Sequence, residues 1–118
     1  MQNVIELLRR WAELEPGRCS FDERTDGSVI VIADRDHRFT VVQLNKENQI
    51  KAVGDGWTLC GAIEAAIQER EDWQLELKGD FRGWEIRIWV RNVTRPVSAP
   101  TKLEALLAAY VQALEATR

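Results

Sequence analysis

The stretch that most restricts how this chain can fold is 73–90, WQLELKGDFRGWEIRIWV. Trp73, Leu75 and Leu77 alternate with Gln74, Glu76 and Lys78, and Trp84, Ile86, Ile88 and Val90 alternate with Glu85, Arg87, Trp89 and Arg91. Alternation with a period of two around a short polar loop is the pattern of a half-buried β-hairpin. Charge selects its register. Pairing Leu77 with Trp84 sets Glu76 directly opposite Glu85, which is unfavourable. Pairing Leu77 with Ile86 instead sets Lys78 against Glu85 and Glu76 against Arg87 and keeps the apolar faces aligned. That register leaves Asp80-Phe81-Arg82-Gly83 as the loop and places Trp89 opposite Gln74.

The flanking segments supply helices and further strands. Val4, Leu7, Leu8, Trp11 and Leu14 recur at helical spacing over 3–14, and Pro16-Gly17 ends that helix. Trp11 reads as its core anchor. Short strands follow: a weak one at Cys19 and Phe21, then 29–33, 39–44 and 49–53, separated by turns at Asp26-Gly27, at Asp34-Arg35-Asp36-His37 and at 45–48. The second and third are apolar on both pleat faces, the habit of strands covered on both sides. After Gly54-Asp55-Gly56 a helix is expected at about residues 58–70, with Asp55 or Thr58 as its cap. Beyond the hairpin, 91–100 reads as a long connection because Pro96 and Pro100 cannot donate ladder bonds. Thr101-Lys102-Leu103-Glu104 then has the form of a capping box, opening a last helix that buries Leu103, Leu106, Leu107, Tyr110 and Leu114.

The expected fold is a single α+β domain over 1–118, in the order α-β-β-β-β-α-β-β-α. It has a largely antiparallel sheet of about five to six strands and helices on both faces, an α-β-α sandwich. At 118 residues the chain is long enough for one core without staples.

Chemistry-bearing patterns are sparse. The formal net charge of −3 gives no general attraction to nucleic acid or to an anionic membrane. Its distribution is uneven: 64–76 carries Glu64, Glu69, Glu71, Asp72 and Glu76 against Arg70, whereas 82–102 carries Arg82, Arg87, Arg91, Arg95 and Lys102 against Glu85. The two cysteines, Cys19 and Cys60, are widely spaced and read as buried reduced thiols, with a disulfide between them left open. The single histidine, His37, lies in a charged turn without cysteine neighbours and reads as a solvated residue. Neither phosphate-loop spacing occurs. The expectations are no enzyme activity, no metal and no cofactor. No apolar run approaches the roughly 18 residues of a membrane span, and the amphipathic start is not a signal peptide. A cytoplasmic protein is expected.

One surface suggests itself for binding. Arg87, Trp89 and Arg91 share the outer face of the hairpin, with Arg82 and Arg95 flanking them. An aromatic among arginines can stack on a base or anchor a protein partner. Cover on both sheet faces would instead make Trp89 part of the core and leave Arg87 to Glu76, and the apolar inner strands favour that arrangement.

From about residue 58 onward the chain resembles the phage ABA sandwich family of small phage and prophage proteins. The likeness rests on IEAAIQER, on WQLELKGDFRGWEIRIW and on SAPTKLEALLAAYVQAL. It implies an α-β-α sandwich and a phage or prophage origin, hence a host cytoplasm, and it assigns no activity and no site residues. The functional expectation is an accessory protein acting by protein–protein binding, with a protein partner or self-association. The alternative is a nucleic-acid or anion-binding module using Arg82, Arg87, Trp89, Arg91 and Arg95.

Overall fold

The computed structural model describes residues 4–23, 25, 29–35, 38–44, 55–91 and 94–117. Helix α1 (Val4–Leu14) buries Ile5, Leu7, Leu8 and Trp11, the stripe its periodicity demands. Strands β1 (Cys19–Glu23), β2 (Val29–Arg35) and β3 (Arg38–Leu44) form an antiparallel meander. β2 runs into β3 with Arg35 facing Arg38, so Asp34 and Arg35 belong to a strand and not to a turn. Asp36 and His37, the Asp26-Gly27 turn, the turn at 45–48 and the strand expected at 49–53 lie outside the described residues.

Helix α2 (Asp55–Gln68) starts earlier than its apolar periodicity indicates. Asp55 is already helical, so Thr58 sits inside the first turn and neither residue occupies the cap position. The glycines that read as a turn conceal this start. The hairpin strands β4 (Trp73–Asp80) and β5 (Gly83–Val90) pair in the register that charge selects, Leu77 with Ile86, Lys78 with Glu85, Glu76 with Arg87 and Gln74 with Trp89.

The segment 91–100 is not merely a connection. Val97–Ala99 forms a short strand, β6, against β5, with Ile86 facing Val97 and Trp84 facing Ala99. The prolines that argue against a strand flank it at 96 and 100 and so remove no bond from within it. Helix α3 (Lys102–Ala116) opens as expected, the Thr101 hydroxyl accepting from the Glu104 N–H at 3.2 Å. The capping box is only half made, because Oε2 of Glu104 is buried without a hydrogen-bond partner. Leu103, Leu106, Leu107, Tyr110 and Leu114 are all buried, and the alanines at 105, 109 and 113 let neighbouring elements approach closely.

The α+β class is therefore as expected, while the strand arrangement differs. The described strands fall into two three-stranded antiparallel sheets, β1-β2-β3 and β4-β5-β6, instead of one sheet of five to six. α3 is the central helix, packed on α1, α2, β5 and β6, and α2 reaches β2, β3 and β4. Ile86 and Ile88 of β5 enter the core, whereas the outward side chains of β4 at Gln74, Glu76 and Lys78 are exposed. Among the described residues the second sheet is thus covered by helix on one face, not two. Period-two alternation implies a single buried face for this hairpin, and the two-face cover expected of the inner strands does not carry over to it.

Candidate binding surface on the hairpin

The five residues singled out from the sequence do not form one patch. Arg87 and Trp89 stand on the outer face of β5, both partly buried. Arg87 is engaged, but not by its cross-strand neighbour Glu76: its guanidinium donates to Glu85 along the same strand, at 3.0 and 3.2 Å. Lys78 likewise lies 3.8 Å from Glu76 of its own strand, not on Glu85. Pairs placed opposite by register are satisfied lengthwise, since residues two apart on one strand share a face.

Arg82 lies at the far end, in the loop that joins β4 to β5. Asp80 Oδ1 accepts its N–H at 2.7 Å, closing the loop, and its guanidinium stacks 5.4 Å from the Phe81 ring centroid. Phe81 is 92% exposed, and Leu77 on the inner face of β4 is 36% exposed. Opposite Leu77, Ile86 is fully buried. The helix layer therefore covers β5 but stops short of the distal half of β4. Sequence alternation places Leu77 correctly on the apolar face, yet nothing local to Leu77 tells that the face is uncovered there. Gly79 and Gly83 shape this tip. A Cβ at Gly79 would meet the Trp84 ring at 2.7 Å, and Gly83, at φ +144°, lies where a Cβ would meet the Ala99 carbonyl oxygen at 2.7 Å.

Arg91 and Arg95 are found together at a different place, a cleft of about 630 Å³ between β5 and the end of α3. Its floor includes Ile88, Val90, Ala109 and Ala113. Arg91 holds φ 52°, left-handed backbone unusual for a side chain of that size, and Oγ1 of Thr94 is buried there without a partner.

A second cluster carries almost no local sequence signal. Glu15, just past α1, accepts from Trp11 Nε1 at 3.1 Å, from Arg70 Nη2 at 2.5 Å and from the Tyr110 hydroxyl. Arg70 also donates to Tyr110 and to the Ala66 carbonyl, each at 2.9 Å, and lies 4.5 Å from the Trp73 ring centroid. Burial, reinforced by the bond to Glu15, pushes the Tyr110 hydroxyl up, so it remains a protonated donor. Every group is satisfied by its neighbours, which makes this a junction of three helices and not a poised reaction centre. The isolated arginine among acids at 64–76 is its one trace in the sequence.

Cys19 and Cys60 are free and buried, and burial pushes their thiols up to about 12 and about 11. Among the described residues no group of three or more His, Cys, Asp or Glu could hold a metal ion, and no helix is long and apolar enough to cross a membrane.

The chain matches no protein-family model, no curated protein and no solved structure.

Proposed function

We propose that this is a small non-enzymatic binding domain acting through protein–protein contact, with the distal half of the β4–β5 hairpin as its contact element. The observation that carries this reading is the uncovered apolar tip, Phe81 at 92% and Leu77 at 36% exposure, beside a β5 whose Ile86 and Ile88 are buried. An exposed aromatic beside an arginine is the composition of an interface anchor. The resemblance to the phage ABA sandwich family supports an accessory role in a phage or prophage setting. The two free, buried thiols suit a reducing compartment such as a host cytoplasm.

The test is affinity capture from a lysate of the native host, with wild type and Phe81→Ser in parallel. A defined protein held by the wild type and lost from the variant is expected. Equal recovery from both, or none from either, ends the reading.

A second reading, anion binding, is favoured by the cleft and not by the hairpin's outer face. Arg91 and Arg95 line it, an unpartnered Thr94 hydroxyl is buried within it, Ile88, Val90, Ala109 and Ala113 supply apolar surface, and the one carboxylate in the lining, Glu115, is engaged by Arg10. That combination suits a small anion with an apolar body better than a nucleic-acid strand, which would need the scattered arginines on one track.

A further inference from the structure

The distal half of β4 presents more than an uncovered tip. β4 is an edge strand, with β5 as its one sheet neighbour among the described strands. Glu76, Leu77, Lys78, Gly79 and Asp80 are all exposed, so the outward backbone edge is open to another strand. We propose that this edge pairs antiparallel with the same edge of a second copy of the chain, about a two-fold axis at Leu77. This inference rests on the binding role assigned above to the hairpin and names its partner.

The order of charges selects that partner and that register. With the axis at Leu77, Leu77 faces Leu77 of the second copy on the apolar side. On the polar side, Glu76 faces Lys78 of the second copy and Lys78 faces its Glu76, two favourable cross-strand pairs from one self-complementary sequence. Moving the axis one residue toward either end sets Glu76 against Glu76 or Lys78 against Lys78, each unfavourable. Neither side chain is strongly committed in the single chain: their mutual contact is 3.8 Å, with side-chain exposures of 45% and 70%. The same axis brings the exposed Phe81 and Arg82 of one copy to the start of β4 in the other, where Trp73 and Asp72 stand. The result is a continuous six-stranded sheet across two chains, with the two Leu77 side chains packed side by side on its apolar face.

Sedimentation equilibrium over a range of concentrations tests this. Wild type is expected to approach twice the monomer mass. Glu76→Lys and Lys78→Glu, each creating like charges across the axis, are expected to weaken association by about tenfold or more. The double variant carrying both changes restores opposite charges and is expected to dimerise again. An equimolar mixture of the two single variants is expected to associate, since a chain positive at both positions then meets a chain negative at both. Circular dichroism on each variant confirms folding, and the double variant remains decisive where a single variant is unstable. A wild type that stays monomeric, or single variants that associate as well as wild type, overturns the proposal. A monomer that still captures a host protein through Phe81 removes the dimer alone, and a charge-selected dimer that captures nothing removes the accessory role alone.

Discussion

Glu15 ties three helices together. Its carboxylate takes bonds from Trp11, Arg70 and Tyr110, which belong to or adjoin all three helices. Glu15→Ala leaves a guanidinium, a phenol and an indole N–H without their acceptor in a largely buried site, and it is expected to cost about 2–3 kcal/mol. A lower urea midpoint at unchanged slope is the measurement. The thiols make a pH prediction. Cys19 keeps its proton up to about pH 12, whereas the unfolded chain loses it near the ordinary value of 9.0. The folded state therefore binds more protons between those values, so stability is full below about pH 9 and falls as pH rises through the window. Cys19→Ala is expected to flatten that fall in stability measured across the alkaline range.

At the scale of elements, what is legible follows from where the determining information sits. The hairpin register can be read because both strands and all four deciding charges lie within one short stretch. The helices at both ends can be read from their own apolar spacing. β6 escapes such reading because it is three residues long and framed by prolines, so its existence depends on the neighbouring β5 edge and not on its own pattern. The cover of the second sheet cannot be inferred from the meander, because strands apolar on both faces in one sheet say nothing of the faces of another. Arg70 and Glu15 meet across 55 residues, a separation at which no periodicity helps. Gly83→Ala probes the β5–β6 contact. It forces a Cβ toward the Ala99 carbonyl at a positive φ, and is expected to cost about 1–3 kcal/mol by thermal or urea unfolding. Loss of amide-exchange protection in β6 ahead of α3 identifies the strand contact as the site of damage.

At the scale of the molecule, the candidate surface is legible in kind and not in place. Arginines beside an aromatic mark this hairpin for attention, but the fold divides them. Arg87 is tied to Glu85, Arg91 and Arg95 line the cleft, and Arg82 stands at the tip with Phe81. Which apolar residues remain uncovered depends on where the helix layer ends, and that is a property of the assembled fold.

The adjacency of the first and last helices has a consequence for how the protein is made. Arg10 reaches Glu115 at 2.8 Å, and Tyr110 bonds Glu15, contacts closing loops of 105 and 95 residues. α3 is also the element against which α1, α2 and β5 all pack. During synthesis, then, the earlier elements emerge with their apolar faces waiting for a helix not yet translated. The core cannot close before α3 is available, and until then Trp11, Ile63 and Ile86 lack the helix that buries them.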